Sequence, residues 1–213
     1  MSNPGLEFWN KKHFEKDELA RMSQHSAFVE QSMKYFNKGG RVLELGTGIG
    51  SDTLFLADQG FEVVATDFSQ PALDKLREAA DDNIHIKTKQ FDLSNPFPFE
   101  DQSFDAVYAH LTLHYFSRQT TQQIYNEVFR VLKPGGVVTM LLNSTEDSEY
   151  GQGEKIEDDY FDIPDKGPKR YFSIKTLRPF ITKFKEIILD NKGSDPRRNN
   201  KEDLIRFIGK RVI

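Results

Sequence analysis

The stretch RVLELGTGIG, residues 41–50, decides the fold class of this chain. Leu43 and Leu45 flank Glu44 in an apolar run that is typical of a buried strand, and three alternating glycines end the stretch. Glycine permits tight, positive-φ turns and lets a ligand approach the main chain closely. Residues 51–59 then follow a helical pattern that stops at the next glycine. A strand, a glycine turn and a helix N-terminus together predict a site shaped for a nucleotide.

The spacing of these glycines departs from two common phosphate-binding turns. The dinucleotide fingerprint is G-x-G-x-x-G, but here Gly50 comes one residue early and Ser51 takes the expected position. The chain also lacks G-x-x-x-x-G-K-[ST], the loop that cradles nucleoside triphosphates. The spacing therefore weakens a nicotinamide or flavin site and does not support a triphosphate site.

An acidic residue ends the second predicted strand. Residues 61–66 are apolar and β-branched in pattern, and Asp67 follows them, 21 residues after Gly46. A carboxylate at this point of a doubly wound sheet can accept both hydroxyls of an adenosine ribose. Its alternative role is to cap the next helix. The distance behind the glycine turn favours ribose binding.

Strand and helix patterns alternate through the first two thirds of the chain. Ser69 and Ser117 are predicted to cap helices, and a closing pair of strands is predicted after a short helix within 176–184. The alternation is typical of a parallel, doubly wound α/β sheet. Beyond 61–66, the predicted strands are 84–87, 104–109, 137–142, 185–189 and 204–210.

The segment 144–165 breaks the alternation, since it holds nine acids and a single lysine. We expect a long loop or small insertion there, in the position of a lid. No linker divides the chain, so 1–213 is predicted to form one domain. Its predicted parts are an N-terminal helical cap at 1–40, a cofactor-binding core at 41–143, and the acidic loop with the closing strands at 144–213.

Composition narrows the range of functions. The formal net charge of −4 disfavours a nucleic-acid backbone as substrate. The absence of cysteine excludes disulfides and thiolate metal sites and favours a cytoplasmic location, and no apolar run reaches membrane-spanning length. The basic residues near the C-terminus are interpreted as a solvated loop between two strands rather than an RNA-binding patch: Lys192, Arg197, Arg198 and Lys201.

Five motifs in order resemble those of the class I S-adenosylmethionine-dependent methyltransferases. The flanking regions resemble smaller members, such as the tellurite-resistance type, more loosely. The motifs are the glycine stretch 43–50, the acid Asp67, the segment 91–93 (FDL), the strand 103–107 (SFDAV) and the turn 130–136 (RVLKPGG).

The resemblance implies a Rossmann-like, seven-stranded, mostly parallel sheet whose last strand is antiparallel. It also implies transfer of a methyl group from S-adenosylmethionine to an acceptor by in-line displacement. Residues 109–112 read AHLT, not the Asn-Pro-Pro-Tyr type of many nucleic-acid amino-methylating relatives, which favours a small-molecule acceptor. The alternatives are a nicotinamide-dependent oxidoreductase and a non-catalytic S-adenosylmethionine-binding module.

The resemblance also implies residue roles. Glu44 would meet the cofactor's ammonium, Asp67 its ribose and Asp92 its adenine amino group. Phe68 and Asp92 have alternative roles, in the core and in capping a turn. The implied cofactor-binding residues are Glu44, Gly46, Thr47, Gly48, Asp67, Phe68, Asp92, Leu93, Ala109 and His110.

Two histidines follow the fourth strand. His110 and His114 are four residues apart and would share a face if this turn were helical. His110 is predicted to line the cofactor site, and His114 is the candidate catalytic base. A metal pair is disfavoured because no third ligand is evident. Candidate acceptor-pocket residues are Tyr115, Trp9, His13, Tyr160, Arg170 and Tyr171.

Overall fold

Helices and strands alternate along residues 24–198 and 201–212, the part of the chain that this computed structural model describes. The strands are β1 (Arg41–Leu45), β2 (Glu62–Asp67), β3 (Ile86–Gln90), β4 (Phe104–His110), β5 (Leu132–Leu142), β6 (Glu154–Glu157), β7 (Tyr160–Ile163), β8 (Gly167–Arg170), β9 (Phe184–Asp195) and β10 (Lys201–Arg211). The helices are α1 (Ala27–Met33), α2 (Ser51–Asp58), α3 (Gln70–Ala80), α4 (Arg118–Val131) and α5 (Ile174–Leu177), followed by a 3₁₀ turn at Arg178–Phe180.

Seven strands form one sheet in the order β3-β2-β1-β4-β5-β10-β9. Strands β1 to β5 pair in parallel, and β10 is antiparallel to both β5 and β9. The predicted doubly wound, mostly parallel sheet with its last strand antiparallel is confirmed. The strand order reverses between β1 and β4, and ligands of such sheets bind at the carboxyl ends of the strands beside this reversal.

The core lies on both faces of the sheet, because successive residues of a strand point to opposite sides. In β4, Val107 and Ala109 pack on the face covered by α4. Ala106 and Tyr108 pack on the opposite face with residues of α1 and α2. Along β1 the same alternation sends Glu44 away from the face that Leu43 and Leu45 occupy.

Local polar signals set the helix starts. The hydroxyl of Ser69 accepts a hydrogen bond from Ala72 N, and that of Ser117 accepts one from Thr120 N, so both predicted caps are confirmed. The short helix begins earlier than the pattern indicates, because Ser173 forms a capping box with Thr176.

The third strand also begins later than predicted, at Ile86 rather than at residue 84. The side chain of Asn83 accepts a hydrogen bond from His85 N, and its carbonyl accepts one from Ile86 N. This turn holds the chain out of the sheet and leaves Ile84 85% exposed.

The acidic segment 144–165 is not an unstructured loop. Its second half, with the residues that follow, forms a separate antiparallel sheet in the order β6-β7-β8. Arg170 anchors this small sheet by donating hydrogen bonds to the carbonyls of Phe116 and Asp158 and pairing with Glu157. The predicted insertion is therefore an ordered layer above the carboxyl ends of the main strands.

Part of the predicted N-terminal cap lies outside the described residues, including Trp9 and His13. Within the described part, α1 is present, and Ser26 caps it by accepting a hydrogen bond from Val29 N. None of the helices in residues 24–198 and 201–212 has the length and apolarity needed to cross a membrane.

Gly50 and Gly60 offer a matched test of how tightly the glycine turn is packed. Both have positive φ, +88° and +85°, so alanine at either position carries the strain of the left-handed conformation. A Cβ at Gly50 would lie 2.3 Å from Cδ1 of the buried Leu76, whereas a Cβ at Gly60 would meet nothing within 4 Å.

We expect the free energy of unfolding of Gly50→Ala to be lower than that of Gly60→Ala by roughly 1–3 kcal/mol, the cost of overpacking a core. Urea unfolding of both variants beside the unmodified protein measures this difference. Equal losses in the two variants would show that Leu76 moves aside at no cost.

Candidate functional site

A cavity of about 1030 Å³ opens at the carboxyl ends of β1, β2 and β4 and extends beneath the β7–β8 turn. Nine of the ten residues predicted to bind a cofactor line it: Glu44, Gly46, Thr47, Gly48, Asp67, Phe68, Asp92, Leu93 and His110. The tenth, Ala109, is fully buried and does not line the cavity. Its side chain packs on the α4 face of the sheet, so the adjacent His110 faces the cavity in its place.

The glycine turn passes directly under Thr112. Gly46 has a φ of +66°, and a Cβ there would lie 2.2 Å from the Thr112 hydroxyl oxygen. That hydroxyl donates a hydrogen bond of 3.2 Å to the Gly46 carbonyl. Only glycine can adopt this positive φ while lying so close to Thr112, so glycine at position 46 lets the main chain of the turn form part of the cavity wall.

Glu44 is a buried carboxylate, 3% exposed, with hydroxyl partners instead of a cation. Thr53 at the start of α2 donates to it over 2.5 Å, and Thr47 lies 2.6 Å from the Thr53 hydroxyl. Burial, with the neighbouring charges of Asp52 and Asp67, raises the pKa of Glu44 to about 8. Among the described residues no cation pairs with Glu44, so this end of the cavity suits a positively charged group.

Asp67 connects the end of β2 to the glycine turn. One of its carboxylate oxygens accepts a hydrogen bond from Gly48 N and the other accepts one from Ser69 N, both at 2.9 Å. A carboxylate has about four acceptor positions, so these bonds orient the group and leave capacity for hydroxyls in the cavity. Ribose binding and helix entry, which the sequence presents as alternatives, are therefore compatible roles for this residue.

Asp92 caps a turn with one oxygen only. Its Oδ1 accepts hydrogen bonds of 2.8 Å from both the main chain and the hydroxyl of Ser94. Its Oδ2 has no hydrogen-bond partner in the described part of the chain and belongs to a residue of the cavity wall. The turn therefore positions an acceptor beside Phe91 and Leu93, which supply apolar surface.

The two histidines after β4 do not share a face. Leu111 has a φ of +51°, which breaks any helical turn between them. His114 is 2% exposed, does not line the cavity, and its Nδ1 has no partner among the described residues. His110 therefore lines the cavity as predicted, whereas His114, the candidate catalytic base, does not.

A buried polar network around His110 was not predicted. Asp52 accepts hydrogen bonds from the Ser26 main chain at 2.6 Å and from the Tyr108 hydroxyl at 2.6 Å. His110 Nε2 lies 3.3 Å from Asp195. The network joins α1, α2, β4 and the end of β9, so side chains that are far apart in sequence meet at one wall of the cavity.

The charge state of His110 follows from this surrounding. Burial lowers its pKa to about 4, opposed by the negative charges of Asp52 and Asp195 and reinforced by Arg197 and Arg198. The ring is therefore neutral at pH 7. Nε2 lies 3.3 Å from Asp195, which can accept its proton, and 3.5 Å from Arg197 Nη2, which can donate to it, so both tautomers have a partner at this atom.

The basic loop between β9 and β10 is part of the site, so its interpretation as a solvated loop is wrong for Arg197. That side chain is 18% exposed and donates to Asp195 over 2.9 and 3.2 Å and to the Gln24 carbonyl over 2.9 Å. Both Arg197 and Arg198 line the cavity. The basic residues in the sequence could not by themselves indicate that Arg197 is buried, because its burial depends on how the β9–β10 turn packs beside the end of β4.

The candidate acceptor-pocket residues divide into two groups. Tyr115 lines the cavity. Tyr160, Arg170 and Tyr171 do not: the Tyr160 hydroxyl donates to the Tyr115 carbonyl over 3.2 Å, and Arg170 holds the β6–β8 sheet. These side chains position the covering layer instead of contacting the space beneath it.

The cavity thus has two electrostatic ends. Asp67 gives negative charge to the end beside the glycine turn, where Glu44 adds a carboxyl group that is protonated at pH 7. Arg197 and Arg198 bring positive charge beside His110, and Asp52 lies between the two ends, 3.7 Å from Arg197. Such a site suits a ligand with a cationic centre and hydroxyl groups at one end, and a second molecule at the other.

Comparison with known proteins agrees with this geometry. Residues 42–136 match the family model described as a methyltransferase domain. An uncharacterized methyltransferase of Synechocystis sp. is 36% identical over 103 residues, covering 48% of this chain and 47% of that protein. A demethylmenaquinone methyltransferase of Clavibacter sepedonicus is 38% identical over 111 residues, covering 50% of this chain and 42% of that protein.

The chain therefore spans about half the length of the curated relatives that it matches. Among solved structures, an S-adenosylmethionine-dependent methyltransferase from Methanosarcina mazei superposes with a TM-score of 0.72 at 22% identity. The match covers 84% of this chain and 96% of that one. This likeness shows a shared fold.

The raised pKa of Glu44 predicts how stability varies with pH in the absence of ligand. Between the ordinary value of 4.5 and about 8, the folded state holds a proton that the unfolded state has released. Stability therefore falls as the pH rises through this range. In Glu44→Gln this loss disappears, so from pH 5 to pH 8 the variant should lose less stability than the unmodified protein, by on the order of 3 kcal/mol.

Urea unfolding at pH 5 and pH 8 measures the effect. Glu62→Gln, which removes an exposed carboxylate from β2 of the same sheet, is the matched control and should follow the unmodified protein. An identical pH dependence in Glu44→Gln and Glu62→Gln would contradict the prediction.

Proposed function

Because the chain carries a class I S-adenosylmethionine-dependent methyltransferase domain, we propose that it transfers a methyl group from S-adenosylmethionine to a small-molecule acceptor. The observation that carries the proposal is the buried carboxyl group of Glu44 at the glycine turn, which has no cationic partner among the described residues. Burial raises its pKa to about 8, so the group is protonated in the free protein at pH 7. An ammonium group bound beside it would favour the ionised form and pair with it.

The remaining residues of the acidic end fit the rest of this cofactor. Asp67 would accept the ribose hydroxyls, and Asp92 Oδ2 would accept the adenine amino group. Phe68 and Leu93 would lie against the base. The methionine carboxylate suits the main-chain N–H groups at the start of α2, where the helix dipole is positive. When bound, the cofactor supplies a sulfonium whose methyl group is electrophilic.

The protein's own contribution is placement and exclusion of water. The cavity continues from the acidic end to the space beneath the β7–β8 turn, where Tyr115, Phe116, Ile163 and Pro168 provide apolar walls. A nucleophile held there in line with the reacting methyl group would react in a dry, fixed geometry. The size of this space and its cover by a folded layer favour a small molecule over a polymer.

Two further observations support a small-molecule acceptor. The Clavibacter relative is named for demethylmenaquinone, a small molecule. The net charge of −4 is unlike the basic faces that bind nucleic-acid backbones. We propose a soluble, cytoplasmic enzyme, because the chain has no cysteine and no apolar run of membrane-spanning length.

His110, and not His114, is proposed to exchange a proton with the acceptor. Its ring lines the cavity, its Nε2 lies between Asp195 and Arg197, and its Nδ1 has no hydrogen-bond partner among the described residues. A neutral imidazole in the tautomer that leaves Nδ1 unprotonated can accept the proton of a hydroxyl, thiol or ammonium acceptor. His114 lies outside the cavity wall and has no such access.

The cofactor assignment is tested by calorimetric titration with S-adenosylhomocysteine and, in parallel, with NAD. We expect a Kd in the range of roughly 1–100 μM for the first, about 5–8 kcal/mol of binding free energy, and no heat for the second. Asp67→Asn should weaken binding about tenfold or more, since it removes a charge-assisted hydrogen bond. Asp58→Asn, at an exposed position of α2, is the matched control. Binding of NAD alone would replace this proposal with an oxidoreductase.

The histidine assignment is tested by turnover once an acceptor is found. We expect His110→Ala to lower kcat by about 100-fold or more, the usual contribution of a general base, with a smaller effect on the KM of the cofactor. His85→Ala, an exposed histidine before β3, is the control. A loss of kcat in His114→Gln with unchanged thermal unfolding would instead return the catalytic role to His114.

A further inference from the structure

The guanidinium group of Arg198 lines the cavity with one long ion pair, to Asp195, and no side-chain hydrogen bond among the described residues. The residue lines the cavity with 39% of its side chain exposed. Its side chain makes no hydrogen bond in the described part of the chain, and the nearest carboxylate oxygen, on Asp195, lies 3.7 Å from its Nε. A guanidinium presents five N–H donors in a planar fork, so an unengaged one at a cavity wall is a ready site for an anion.

Asp195 cannot satisfy Arg198, because other donors already occupy it. Arg197 donates to both of its oxygens, at 2.9 and 3.2 Å, and Arg197 N donates to Oδ1 at 3.1 Å. His110 Nε2 is a further neighbour at 3.3 Å. The single negative charge of Asp195 is thus shared between Arg197, which binds it through two hydrogen bonds, and Arg198, which lies 3.7 Å away. Asp195 therefore compensates the charge of Arg198 only in part.

Arg198 lies close enough to His110 and Tyr115 for its charge to act on both rings. Burial lowers the pKa of His110 to about 4, and the charge of Arg198 reinforces this shift. Burial raises the pKa of Tyr115 to about 12, and the charge of Arg198 opposes that shift. The acids on the opposite rim, Glu154, Asp162 and Asp165, are exposed to solvent, which screens their charges.

The other cation beneath the covering layer is engaged. Lys166 also lines the cavity, but its ammonium pairs with Glu149. Arg198 is therefore the cationic group at this end whose donors remain available within residues 24–198 and 201–212. The apolar surfaces of Phe116, Ile163 and Pro168 lie along the same wall.

We propose that Arg198 binds an anionic group, a carboxylate or a phosphate, of the methyl acceptor and so directs the acceptor's nucleophilic atom toward His110. The acceptor is then a small acid with an apolar body, held by charge at one end and by the apolar wall along its length. The proposal rests on the proposed function, since it assigns the substrate class of that site.

The test uses nuclear magnetic resonance of the ¹⁵N-labelled full chain, with and without saturating S-adenosylhomocysteine, observed at the arginine Nε–Hε signals. The probes are benzoate for a carboxylate, phenyl phosphate for a phosphate, and benzamide as the uncharged match of benzoate. We expect at least one anion to shift the Arg198 signal with a millimolar Kd, and benzamide to leave it unchanged.

Arg198→Ala should weaken binding of that anion at least tenfold, and Arg198→Lys should weaken it less, since it keeps the charge and loses the fork. Lys192→Ala, an exposed cation on the same hairpin, is the matched control. A shift with benzoate alone assigns a carboxylate acceptor and a shift with phenyl phosphate alone assigns a phosphate acceptor; shifts with both support the shared anionic class.

Three results would overturn the proposal. The first is the absence of anion-induced shifts, and the second is equal anion affinity in Arg198→Ala and the unmodified protein. The third is a tenfold loss of S-adenosylhomocysteine affinity in Arg198→Ala without loss of anion binding, which would assign Arg198 to the cofactor's own carboxylate. Failure of the proposed function has a different signature, namely no S-adenosylhomocysteine binding in the unmodified protein, and the anion titration of the free protein still reports on Arg198.

Discussion

A carboxylate buried without a cation, that of Glu44, is the constraint around which this site is arranged. Its position near the end of β1 obliges α2 to begin immediately after the glycine turn, because Thr53 of that helix supplies the hydroxyl that Glu44 requires. Burial raises the pKa of the group to about 8 although the hydroxyls of Thr53 and Thr47 oppose the shift, so the free protein holds it protonated at pH 7. A cationic ligand at this point would favour the ionised form and gain an ion pair.

The opposite wall of the cavity depends on strand order instead of local sequence. The reversal between β1 and β4 opens the crevice. Because β10 is antiparallel to both β5 and β9, β9 runs in the same direction as β5 and ends at the same edge of the sheet, where the β9–β10 turn follows. Asp195 then reaches His110 at the end of β4, and Arg197 reaches the main chain of Gln24 before α1. These contacts join the start of the described chain to the β9–β10 turn at one wall of the cavity. They also give that wall a positive charge, which distinguishes the proposed acceptor end from the proposed cofactor end.

Several features of the site could be predicted because their signals are local. The glycine turn, Asp67 after β2 and the Asp92 turn each follow a strand within a few residues, and parallel strands bring their carboxyl ends together. The prediction for His110 and His114 depended on an assumed helical turn, which the left-handed conformation of Leu111 removes. Ala109 is predicted to line the cavity but does not, because successive residues of β4 point to opposite faces of the sheet and only its neighbour His110 points to the cavity.

The sequence by itself determined the order of the main strands and helices, the acidic residues at one end of the cavity and the family resemblance, since each depends on residues adjacent in the chain. Only the tertiary structure decided the role of Arg197 and Arg198, the network of Asp52, Tyr108 and Asp195, and the ordered layer formed by β6–β8. A basic pair in a loop has the same local pattern whether solvent or a carboxylate surrounds it. Burial, and with it the charge state of His110 and the availability of Arg198, arises only when segments distant in sequence pack against one another.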